Sequence, residues 1–79
     1  MKGDKVIVQA FGGKPLVRRV WDVSSNMVFI CTEENYTTLL NNEDDALWPV
    51  GFPKEYVFRY NSSIDMSDPQ LWSQLGAYV

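Results

Sequence analysis

Apolar and polar positions alternate with a period of two along most of the first third of the chain. Lys5–Phe11 (KVIVQAF) sets Val6, Val8 and Ala10 on one face and Ile7 and Phe11 on the other. Its β-branched residues suit a pleated strand. Gly12-Gly13 follows, a pair that accepts the positive φ angles of a tight hairpin. Leu16–Val23 (LVRRVWDV) is then the return strand. Val17, Trp21 and Val23 share one face with Arg19, while Leu16, Arg18, Val20 and Asp22 share the other. The first set is expected to face the core, with Arg19 at its rim and its stem lying on apolar surface. Ser24-Ser25-Asn26 reads as a turn, and Met27–Thr32 (MVFICT) is apolar on both faces, as in a strand covered on both sides.

The period changes at Thr32. Thr32 can cap a helix with Glu33 and Glu34 in its first turn, where the dipole favours negative charge. Tyr36, Leu39 and Leu40 recur at helical spacing, which predicts a helix from about residue 33 to 41. Residues 41–45 (NNEDD) form an acidic loop. Ala46–Val50 is expected as a short strand that Pro49 confines to an edge. Pro53 suits the first position of a single helical turn, Tyr56–Tyr60 (YVFRY) is the next strand, and NSSIDMS is a loop. Asp68 as N-cap, Pro69 at N1 and Gly76 as the stop define a last short helix that would dock through Leu71, Trp72 and Leu75. The expectation is a mainly β fold with short helices. It is a small antiparallel five-stranded barrel or strongly bent sheet, with one short helix after strand 3 and a short C-terminal helix.

Length makes this a single domain, residues 1–79. A chain of this size buries about 60% of its unfolded surface, so its stability margin is thin. The 46% hydrophobic and 14% aromatic content is enough for a core. One cysteine excludes an intramolecular disulfide, so the core, or a second subunit, must supply the stability. The opening MKGDK lacks an apolar run after its positive charge, no stretch is long and apolar enough to span a bilayer, and Cys31 is unpaired. A reducing, cytoplasmic location is expected.

Candidate chemistry is sparse. The chain has no histidine, which removes the commonest general base at neutral pH, the commonest metal ligand and every Ser-His or Cys-His pair within one chain. Cys31 lies in the most apolar strand, where a thiol is inert packing. In FGGKP a proline and then a strand follow the lysine, unlike a phosphate-binding loop. Glu43, Asp44 and Asp45 are consecutive, without the alternation of a calcium loop. No catalytic residue, metal site or cofactor is expected, and the chain is read as a non-enzyme.

Residues 48–61 (WPVGFPKEYVFRYN) contain five aromatic residues and two prolines. Within them GFPKEYV, Gly51 to Val57, resembles the closing signature of Src-homology-3 domains. Pro53, Tyr56 and Val57 match in type and mutual spacing, Gly51 stands one residue closer to the proline, and Glu55 replaces an asparagine. The match covers about seven residues, and the family's ALYDY opening and paired tryptophans are missing. The resemblance implies a Src-homology-3-like barrel whose last two strands are linked by a 3₁₀ turn. It also implies a groove for proline-rich peptides beside an acidic loop. Trp48, Phe52, Pro53 and Tyr56, with Glu43, Asp44 and Asp45, are the candidate contacts, and Trp72 is added from the C-terminal helix. The competing reading places Trp48, Phe58 and Tyr60 in the core.

Two further partners are weighed. Strands 1 and 3 carry apolar residues on both faces, more than one small core absorbs, so a homodimer is expected to cover what the helices do not. Residues 1–31 carry five basic and two acidic side chains, against two basic and eight acidic in 32–79. The alternative function is nucleic-acid binding through Lys5, Lys14, Arg18 and Arg19, with Phe11 or Trp21 stacking on bases. The net charge of −3 opposes it.

Overall fold

The computed structural model describes residues 2–79. Five antiparallel strands form one sheet: β1 Lys5–Gln9, β2 Pro15–Val23, β3 Met27–Cys31, β4 Val50–Pro53 and β5 Val57–Arg59, in the order β4-β3-β2-β1-β5. Two helices, α1 Glu33–Leu40 and α2 Leu71–Gln74, complete it. No helix among the described residues is long and apolar enough to cross a membrane.

The sheet must be strongly bent. β4 and β5 lie at its opposite edges, yet only the 3₁₀ turn Lys54–Tyr56 joins them. A flat sheet would hold these strands about 19 Å apart at roughly 4.8 Å per spacing. A 3₁₀ segment rises about 2 Å per residue and cannot reach that far. The bend is made in β2. Residues 15–19 of β2 pair with β1, residues 19–23 pair with β3, and the register slips between Val20 and Asp22. That bulge at Trp21 raises the local twist and turns one long strand into a member of both halves.

The concave face holds the core: Val6, Val8, Val20, Val28, Ile30 and Val57, all β-branched, with Phe52 and Tyr78 packed against them. The expected face of β2 is corrected. The pairs Val6↔Arg18 and Val8↔Leu16 put Leu16, Arg18 and Val20 on the core side. Val20 is buried, while Val17 and Val23 are exposed. Trp21 turns away to meet α1, its ring edge-on to Tyr36 at 5.8 Å.

The helices cover part of the convex face. Thr32 caps α1 as expected, its Oγ1 accepting from the Asn35 amide at 3.1 Å. Glu33 then takes a two-pronged ion pair from Arg19, both contacts 2.7 Å, and the guanidinium holds the Glu33 carboxyl below its ordinary range. On the other side Trp72 packs at a tilt of 43° against Phe58, the register partner of the buried Ile7, with ring centroids 5.3 Å apart. α2 is shorter than expected because Asp68 organises the turn before it: Oδ1 accepts from the Gln70 amide and the Asp68 carbonyl from the Leu71 amide. The chain then extends from Leu75 and returns beside β5, where Ala77 bridges Phe58 and the Tyr78 amide donates to the Val57 carbonyl. This tail covers the β5 edge.

Two stability outcomes follow. Val20→Ala should cost about 2 kcal/mol or more, the transfer of two methyls plus a cavity. Val17→Ala should stay within about 0.5 kcal/mol. Denaturant midpoints check the pair; a larger loss from Val17→Ala than from Val20→Ala would put the core on the other face of β2. Tyr78 donates its hydroxyl to Asp4 Oδ2 at 2.8 Å, and burial first, then this carboxylate, pushes its pKa to about 12 from 10.0. An unfolded chain releases that proton near 10, so the contribution is whole below pH 10 and fades as pH rises toward 12. Wild type should therefore lose its advantage over Tyr78→Phe across that interval in urea titrations, and a gap independent of pH would sever the link to this phenol.

Candidate functional site

Exposed apolar side chains gather where the β1–β2 hairpin tip, the α1–β4 loop and β4 come together. At the tip a 3₁₀ turn spans Phe11–Gly13, closed by the Ala10 amide on the Lys14 carbonyl at 2.8 Å. Gly12 and Gly13 take φ of 78° and 76°, the left-handed region that the glycine pair was expected to supply. The loop is longer than two residues, because the ladder ends at Gln9↔Pro15. Phe11 projects from it and is fully exposed.

The α1–β4 loop departs from the expected strand over Ala46–Val50, since β4 begins only at Val50 and runs to Pro53. Asn35 explains this. Its Nδ2 donates to the Leu47 carbonyl at 2.8 Å and its Oδ1 accepts from the Leu47 amide at 2.9 Å. The side-chain amide thus takes both backbone groups that a ladder would have used. Clipped to α1 in this way, the loop holds Leu47 and Trp48 outward, Trp48 with 88% of its surface exposed. The core placement of Trp48 is therefore corrected, and so is that of Tyr60, which is exposed with Lys5 over its ring.

Two clefts adjoin along this surface. The first, about 400 Å3, runs between β2–β3 and the loop and is lined by Leu16, Ile30, Leu47, Trp48, Val50 and Phe52. The second lies between the hairpin tip and the end of β4, among Phe11, Gly13, Val50, Phe52, Pro53 and Tyr56. Val50 and Phe52 border both, because they share the concave face of β4 opposite Ile30 and Val28. At its far end Trp48 borders a small depression with Glu43 and Asp44. Sequence reasoning named Trp48, Phe52, Pro53 and Tyr56 for one surface, and the fold brings them onto one strip with Glu43 and Asp44 at its end; Asp45, also exposed, follows in the same loop. Trp72 is elsewhere, committed to Phe58. Missed as members of this strip were Phe11, Leu47 and Val50. An aromatic directly before two glycines at a hairpin tip was the available signal for Phe11.

The four basic residues of the hairpin do not form one surface. Lys5 and Arg19 are register partners on the convex face, Arg18 lies on the concave face bordering the first cleft, and Lys14 sits at the tip. Arg19 is bound to Glu33 and to the Gly3 carbonyl, and Trp21 lies under the Lys2 ammonium at 3.7 Å. Cys31 is buried, its thiol pushed up by burial, in keeping with inert packing. No group of three or more carboxylates and cysteines among the described residues is placed to hold a metal ion.

Comparison with known proteins adds no relative: no family model, no curated protein and no solved structure matches this chain.

Proposed function

We propose that this chain is a non-catalytic protein-binding module that takes an extended, proline-containing, positively charged peptide along the strip from Phe11 to Trp48. One observation carries the reading. Phe11, Leu47, Trp48, Val50 and Tyr56, half of the large apolar side chains that stand exposed among the described residues, lie along two adjoining clefts instead of scattering over the surface. Clustered exposed apolar surface marks an interaction site, whereas isolated residues do not.

The chemistry of the strip selects the ligand. A polyproline segment is already extended, so it loses little entropy on docking between aromatic rings. The carboxylates of Glu43, Asp44 and Asp45 favour a basic residue at the Trp48 end. The Src-homology-3 resemblance is supported by the 3₁₀ turn Lys54–Tyr56 that links the last two strands and carries Tyr56 to the second cleft. Pro53 lacks an amide hydrogen at the end of edge strand β4, which disfavours strand addition there and favours docking through side chains. Nucleic acid is disfavoured, since the basic side chains are divided between faces and Arg19 is neutralised by Glu33. A reducing compartment is consistent with the buried, unpaired Cys31.

Titration of isotope-labelled protein with a basic proline-rich peptide, to about 1 mM for a weak complex, should shift the resonances of Phe11, Trp48 and Tyr56. Those of Trp21 and Trp72 should stay in place. Asn35→Ala should weaken the binding several-fold by releasing Leu47 and Trp48, with a stability loss of about 1 kcal/mol. Silence at both Trp48 and Tyr56 would remove the peptide reading.

A further inference from the structure

We infer that a second copy of this chain occupies the same strip, the Phe11 tip of each copy seating in the Leu47–Trp48 cleft of the other, so that self-association masks the peptide site. This rests on reading the strip as a docking surface and adds what regulates it.

Shape comes first. Phe11 is fully exposed on a tight tip closed by two backbone hydrogen bonds, Ala10 amide to Lys14 carbonyl and Gly13 amide to Ala10 carbonyl, so little of the loop has to be ordered on docking. The cleft beside Leu47 and Trp48 measures about 400 Å3 and presents mainly apolar surface, with Arg18, Thr32 and Asn35 also in its wall; Arg18 turns one guanidinium nitrogen to the carbonyl of its neighbour Val17, 2.8 Å away. A cavity of about 150 Å3 already accommodates benzene. Every copy carries both the projecting ring and the receiving cleft. The two clefts adjoin at Val50 and Phe52, so a two-fold axis passing there makes both insertions at once.

Charge gives the orientation. Lys14 stands at the tip three residues after Phe11, and the cleft is bordered beyond Trp48 by Glu43 and Asp44. The basic side chain of one copy therefore meets the acidic loop of the other, and the reciprocal pair doubles the effect.

Area fits a weak, reversible dimer. A standard interface buries about 800 Å2 per partner, roughly a seventh of the 5345 Å2 surface of this chain. Phe11 and Trp48 bring about 150–250 Å2 each. Leu47, Val50 and Tyr56 carry the sum toward the low end of that class, where association is transient.

The test is molar mass by light scattering over a concentration series of the full chain to about 1 mM, the range of weak association. Mass should rise from one chain toward two. Phe11→Ser should hold it at one chain while the fold, read by circular dichroism, is unchanged. Lys14→Glu should weaken the rise at least several-fold, and adding Asp44→Lys to it should restore the rise. Proline-rich peptide should lower the mass. A single-chain mass at every concentration, or a rise that Phe11→Ser leaves intact, overturns the inference. A rise abolished by Phe11→Ser together with a silent peptide titration would instead leave self-docking standing and remove the peptide reading alone.

Discussion

A connection of three residues governs this fold. Lys54–Tyr56 must join strands at opposite edges of a five-stranded sheet, and no flat sheet permits that. Bending is therefore obligatory, and much else follows from it. The concave side becomes a narrow trough that six β-branched residues fill. β2 has to change partners halfway, and the bulge at Trp21 is where it does so. The end of β4, with Phe52 and Pro53, is drawn toward the hairpin tip that connects β1 to β2, which is what creates the second cleft. The candidate site is thus a product of the curvature more than of any local motif.

The same curvature decided which features were legible beforehand. Strand identity was: β1 and β3 follow from β-branched, apolar runs bounded by turn residues and the Thr32 cap from capping chemistry, all of which are local. The facing of β2 was not. LVRRVWDV offers an apolar set on each side, and the choice between Val17 with Trp21 and Leu16 with Val20 depends on a ladder register and a bulge that no single strand encodes. Proline at position 49 suggested an edge strand over 46–50, and β4 is indeed an edge, but it starts at Val50 because Asn35 intercepts the backbone of Leu47. A side chain twelve residues away competes with the ladder, and periodicity carries no trace of that.

The aromatic density of residues 48–61 divides in two. Phe52 packs on the core and Phe58 packs against Trp72, whereas Trp48, Tyr56 and Tyr60 are exposed. Alternation separates the strand members, since Phe52 and Phe58 are fixed by register to Val28 and Ile7. Trp48 and Tyr56 lie outside the strands, one in the clipped loop and one at the end of the 3₁₀ turn, so no ladder could turn them inward. Ring count alone could not distinguish core from surface. Position relative to the ladder does.

That division bears on why the exposed rings matter. A domain this small has little stability in reserve. Turning Phe11 or Trp48 inward would each add apolar burial, and the core contains no aromatic ring beyond the flanking Phe52 and Tyr78. The structure instead holds their backbones in place: two main-chain hydrogen bonds close the tip at Phe11, a turn that the glycines permit, and a two-pronged amide clip stands behind Trp48. Neither device adds to the hydrophobic core. Both fix the direction in which an apolar group meets solvent, and a fixed apolar group is what a docking partner can recognise without first ordering it.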